Sequence, residues 1–220
     1  MKIVIKIEIE TLLDNAGELC HGKLESLAMI SANLQNSGAR VMIVSSGAIV
    51  LGAARLGLSS TPAGITAKQA TAAVGQVELI KVYQKHFENF DQMVAQILLT
   101  RDVIDNPVRN LNAKNTLARL MDRGIIPLIN ENDSVSTNDI ILNDNYPMAL
   151  IVTTLTDADM IAVNTGRENK FLLIFRDSSA IREVTGEELL DISENIKSGK
   201  IRIEKDIEGF KEFSGNVGLN

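Results

Sequence analysis

The chain has 220 residues, 45% of them hydrophobic, enough for one substantial core and one domain. A formal net charge of -6, 4% aromatic content and no basic block argue against a nucleic-acid surface. No apolar run approaches the roughly 18 residues of a membrane span. The opening residues 1–6 are charged too soon for a signal peptide, and a lone Cys20 excludes an internal disulfide framework, so the expected setting is a reducing cytoplasm.

Apolar strand-like runs alternate with helical ones. Residues 3–7 read as a first strand. Leu24, Leu27, Ile30 and Leu34 recur at helical spacing, and Asn36-Ser37-Gly38 stops that helix. Residues 41–44 form a second strand and residues 48–56 a helix. A loop follows from Ser59 to Gly64, centred on Pro62. Residues 67–87 read as a long helix, Ala-rich at first, with Gly75 inside it. Residues 93–99 are strand three, and residues 111–121 a helix ended by Asp122-Arg123-Gly124. Residues 125–129 are strand four, residues 149–155 a helix despite its threonines, and residues 160–163 strand five. Residues 171–175 read as a strand and residues 187–197 as a polar helix. Residues 200–211 read as an exposed strand or frayed segment. The alternation predicts an α/β fold, a three-layer α/β/α sandwich around a mainly parallel sheet. Met29, Met42 and Met148 read as core filler. Cys20 beside His21 reads as a loop or surface pair, since His86 is the only other histidine and no second cysteine exists.

Two segments carry the chemistry. Ser45-Ser46-Gly47-Ala48-Ile49 and Ile129-Asn130-Glu131-Asn132-Asp133 each read as a loop after a buried strand. In open α/β sheets, ligands sit at such carboxyl ends. Small residues opening a helix leave N–H groups for an anion. Carboxylates with amides suit an ammonium group or a hydrated metal. Together they suggest a site for a small zwitterion and a phosphate. Lys6, ending strand one, is either a mobile charge for a transferring phosphoryl group or a solvated lysine. Ser46 either holds a ligand anion or caps the next helix. Asp133 could bind a substrate ammonium. Asn143-Asp144-Asn145 alone reads as a turn, and Asn164-Thr165-Gly166 as a turn or the border of a base or ribose. Neither GxxxxGK[ST] nor a GxGxxG after the first strand is present.

In this order, several segments resemble the glutamate 5-kinases of the amino acid kinase superfamily. They are residues 44–49, Lys68-Gln69 with residues 72–76, residues 96–101, residues 111–113 with Thr116-Leu117, and residues 129–133. The resemblance runs over about residues 2–165 of a single domain spanning 1–220, with residues 166–220 divergent. It implies transfer of the ATP γ-phosphoryl group to the side-chain carboxylate of L-glutamate, with Mg²⁺, as the first step of proline biosynthesis. By matching position, Ser46, Gly47, Asp133 and Asn145 are implied to bind glutamate. Lys6 is implied as the catalytic, ATP-contacting lysine, and Thr165 as a nucleotide-binding residue. L-Proline as feedback inhibitor and a homo-oligomer are expectations of the same kind.

The departures fall on the nucleotide half. Glu8-Ile9-Glu10 stands where the family has a Gly-Ser-Ser or Gly-Thr-Ser phosphate loop. Two carboxylates there are expected to repel a triphosphate. Asn143-Asp144-Asn145-Tyr146 replaces Gly-Asp-Asn-Asp, and Gly166 follows Thr165 in place of Asp. The later Gly-Thr-Gly-Gly-Met-x-Thr-Lys loop has at most a worn approach at residues 214–218, so the nucleotide lobe is expected to be incomplete. The expectation is a glutamate 5-kinase of impaired activity. The alternative is an inactive pseudokinase that binds glutamate or associates with an intact kinase.

Overall fold

The computed structural model describes residues 1–14, 17–136, 146–167, 170–175 and 181–197. Asn145, the segment 200–211 and the segment 214–218 lie outside the described residues. The elements in chain order are β1 (Lys2–Ile7), α1 (His21–Asn36), β2 (Arg40–Ser45), α2 (Ala48–Arg55), α3 (Ile65–Glu88), β3 (Val94–Leu99), α4 (Pro107–Asp122), β4 (Ile126–Glu131), α5 (Tyr146–Thr156), β5 (Met160–Asn164), β6 (Lys170–Phe175), β7 (Ile181–Thr185) and α6 (Gly186–Lys197). Two 3₁₀ turns, Ile9–Leu12 and Arg101–Val103, follow β1 and β3.

The seven strands run in the order β3-β4-β2-β1-β5-β6-β7. The first five are parallel, and β6 and β7 add antiparallel on one side. Side-chain alternation along each strand feeds two cores. Ile3, Ile5 and Ile7 with Val41 and Ile43 pack on one face against α1, α3 and α6. Val4, Met42, Val44, Ile161 and Val163 pack on the other against α4 and α5. The expected three-layer α/β/α sandwich is therefore what forms.

Helices α2 and α3 meet backbone to backbone. A Cβ placed on Gly75 would lie 1.6 Å from the Ala48 carbonyl oxygen, and one on Gly52 2.0 Å from that of Thr71. The helix expected at residues 111–121 begins earlier, at Pro107. Asn106 accepts from the backbone N–H groups of Val108 and Arg109, at 3.1 and 3.0 Å, and Pro107 follows at the first helical position.

Two expectations need correction, and one strand was not foreseen. Met29 is 41% exposed, whereas Met42 and Met148 are buried. It shares an outer stripe of α1 with Glu25 and Asn33, four residues to either side. Strand four runs on through Glu131, so Asn130 and Glu131 are buried strand residues rather than loop, paired with Leu98 and Leu99. Strand β7 had no counterpart in the sequence reading. As a sheet edge it buries only Val184 and otherwise presents polar or exposed side chains, so no alternating apolar pattern marks it.

Candidate functional site

Because β4, β2, β1 and β5 are parallel neighbours, their carboxyl ends form one edge. At the usual strand spacing this edge is roughly 14 Å long from β4 to β5. Asp133 follows β4, Ser46 follows β2, Lys6 stands near the end of β1 with Glu8 just after it, and Thr165 follows β5. The chain order reverses between β1 and β5, the kind of switch point that opens a crevice in such sheets.

Lys6 is 1% exposed, so the solvated reading is excluded. It shares a strand face with Val4, toward α5, and its ammonium lies 4.0 Å from the centroid of the Tyr146 ring. Its ammonium is also paired with the Glu8 carboxylate. The other Glu8 oxygen accepts from the Ser46 hydroxyl at 2.9 Å. Ser46 Oγ in turn accepts the Ile9 backbone N–H at 3.0 Å. Ser46 is therefore not a helix cap. Gly47 holds that position at φ 107°, and no side chain caps α2. Ile9 packs directly on this glycine: a Cβ there would meet Ile9 Cβ at 2.5 Å. Glu8 and Glu10 differ sharply, since Glu10 is exposed and only Glu8 turns inward onto Lys6 and Ser46.

Behind this cluster, Ser45 is buried and bonded to the Tyr83 hydroxyl at 2.9 Å, which ties the end of β2 to α3. Burial pushes the Tyr83 phenol well above its ordinary range. At the end of β4, Glu131 is fully buried. Its carboxylate accepts from the Ser136 hydroxyl and lies 3.6 Å from Arg101 Nε. Asp133 is half-buried in the turn that follows. Burial, reinforced by the Glu131 charge, raises its carboxyl pKa to about 6.

Thr165 closes a tight turn. Its N–H and hydroxyl both reach the Lys170 carbonyl, each at 3.1 Å, and Asn164 Oδ1 accepts from Gly166 N–H at 2.8 Å. Beside this turn is a cavity of about 530 Å³, bordered by Thr11, Lys23, Leu27, Asn164, Arg167 and Phe171 among others. The Ile9–Leu12 turn joins it to the Lys6 cluster, for Thr11 lies in the cavity wall and bonds back to the Glu8 carbonyl at 2.6 Å. Two cationic side chains with apolar neighbours suit an anionic ligand bearing a flat group.

Sequence reasoning missed Tyr146 beneath Lys6, Tyr83 behind Ser45 and Arg101 beside Glu131. Each contact joins segments distant in sequence, and no local spacing marks them. It also missed the pairing of His21 Nδ1 with His86 Nε2 at 3.0 Å. Exposure of His21 itself agrees with the surface reading. Among the described residues no group of three His, Cys, Asp or Glu side chains could hold a metal ion. None of the described helices is long and apolar enough to cross a membrane.

The architecture defines an open, mainly parallel α/β sandwich with its polar groups gathered at strand carboxyl ends. Residues 1–202 match the model of the amino acid kinase family, and the chain belongs to that family. It is 39% identical over 187 residues to a glutamate 5-kinase of Caldanaerobacter subterraneus subsp. tengcongensis, covering 84% of this chain and 50% of the relative. It is 42% identical over 164 residues to one of Listeria innocua, covering 73% and 59%. A glutamate 5-kinase of Geobacter metallireducens is 43% identical over 164 residues, covering 74% and 44%. The chain thus spans about half the length of these curated relatives.

Proposed function

We propose that the chain is a glutamate 5-kinase-like phosphotransferase whose glutamate half is kept and whose phosphoryl half is held in check. The observation that carries this reading is the single strand-end edge bearing Asp133, Ser46 and Lys6, in a chain 39–43% identical to proteins named glutamate 5-kinase. In this reading the ionised Asp133 holds the substrate ammonium. Ser46, once its hydroxyl is released by Glu8, and Asn145 hold its carboxylates. The γ-carboxylate is already a nucleophile, so no general base is needed. Its oxygen forms a bond to the γ-phosphorus of ATP while the bond to the ADP oxygen breaks, and ADP leaves. Catalysis is then positioning and charge neutralisation. The cavity beside Thr165, with Lys23 and Arg167 in its wall, suits the nucleotide. Mg²⁺ bound with ATP would supply neutralisation of charge on its phosphates; among the described residues no group of three His, Cys, Asp or Glu side chains is placed to hold it.

A second reading has its own support. The Lys6 ammonium already has a carboxylate partner, and Ile9 covers Gly47, which favours an inactive glutamate-binding chain or one that works beside an intact kinase. Glutamate-dependent ADP release with Mg·ATP separates the two. Turnover above that of a Ser46→Ala/Asp133→Asn control supports the kinase. No turnover, with glutamate still bound, supports the second reading.

A further inference from the structure

We propose that Lys6 and Ser46 form an anion seat that this chain fills with its own Glu8 carboxylate. A buried ammonium is costly to leave unpaired. Lys6 is buried, and its charge is met by Glu8. The direction of each hydrogen bond fits an anion receptor. Ser46 Oγ takes the Ile9 N–H, which leaves its hydroxyl proton to donate outward, and it donates to Glu8. An ammonium and a hydroxyl thus converge on the two oxygens of one carboxylate, as they would on two oxygens of a phosphate. Gly47 bears no side chain, and Ile9 fills the space above it. Glu8 is therefore a tethered occupant, two residues along the chain from the lysine it covers, and Ile9, the next residue, covers Gly47. Glu8 acts less by long-range repulsion of an incoming anion than by holding its place.

This seat does not depend on which acceptor the chain phosphorylates, so its test uses inorganic phosphate with neither glutamate nor ATP. Phosphate is titrated into the wild type, Glu8→Ala, Glu8→Gln and Glu8→Ala/Ser46→Ala, following the Ile9, Ser46 and Gly47 amide resonances. The wild type is expected to stay flat. Glu8→Ala is expected to bind at least about tenfold more tightly, and loss of the Ser46 hydroxyl to reverse most of that gain. Equal responses in the wild type and the Glu8 variants would overturn the seat, as would a gain that survives Ser46→Ala. Where Glu8→Ala does not fold, Glu8→Gln keeps the side-chain size and removes the charge. Phosphate should then raise its melting temperature and leave the wild type unmoved, and an equal shift in both overturns the proposal.

Discussion

Glu131 and Asp133 are two residues apart, yet their surroundings assign them different work. Glu131 is sealed in the sheet with Arg101 and Ser136 as partners. Asp133 stands in the turn, half in contact with solvent, and its carboxyl titrates near 6 because burial and the Glu131 charge disfavour ionisation. Only the ionised form can hold an ammonium. Glutamate affinity should therefore fall as pH drops through about 6, which calorimetry at neutral pH and at about pH 5 reads directly. Stability runs the other way. The folded chain holds this proton more tightly than the unfolded one, so the group's favourable contribution is complete below its ordinary value of 3.8 and is lost as pH rises through about 6. Asp133→Asn should stabilise the fold at neutral pH, by about 1 kcal/mol after solvent screening, with no gain in strong acid. Chemical denaturation at the two pH values checks this. A residue that destabilises the fold in its working charge state is the usual mark of a binding group.

At the scale of elements, most of the architecture was legible because the strands are buried on both faces and the helices obey their period. Residues 3–7 are a short, nearly continuous apolar run, as a strand buried on both faces gives, and in the fold Ile3, Ile5 and Ile7 enter one core and Val4 the other. What escaped was set by partners. Strand β4 outlasts its apolar run because β3 pairs with Asn130 and Glu131, and β7 exists because β6 offers an open edge. The Ile9–Leu12 turn forms where Ile9 and Leu12 can be buried, which no local signal announces. The start of α4 could have been read from Asn106-Pro107. Asn106→Ala should cost about 1 kcal/mol through two lost capping bonds, measured by urea denaturation. The crossing of α2 and α3 depends on its glycines more sharply. Gly75→Ala puts a methyl into the Ala48 carbonyl and should cost about 3 kcal/mol or leave the chain unfolded, seen in the denaturation midpoint. Gly57→Ala, with no atom within 4 Å of its added Cβ, is a control limited to the strain of φ 67°.

Across the whole molecule, the proposed function puts two roles, in opposite condition, on one sheet edge. The β4 and β2 ends present the groups expected of a glutamate site, and these stand out in the sequence because polar residues follow directly after apolar runs. The β1 end could be recognised as altered, but its consequence lay in tertiary contacts. Glu8 and Glu10 look alike in the sequence, and only the fold turns Glu8 onto Lys6 and leaves Glu10 in solvent. Replacing Glu8, Ile9 and Glu10 by Gly, Ser and Ser together should strengthen Mg·ATP binding by about tenfold or more, since it removes both the tethered anion and the cover on Gly47. An unchanged affinity would place the weakness outside this loop.

The measurement that bears most directly on the account is a calorimetric titration of L-glutamate into the wild-type chain and into Asp133→Asn at neutral pH. The account predicts saturable binding by the wild type and a loss of about 100-fold in the variant, as expected for removing a charged partner of a substrate ammonium. Equal binding by both proteins, or none by the wild type, would contradict it.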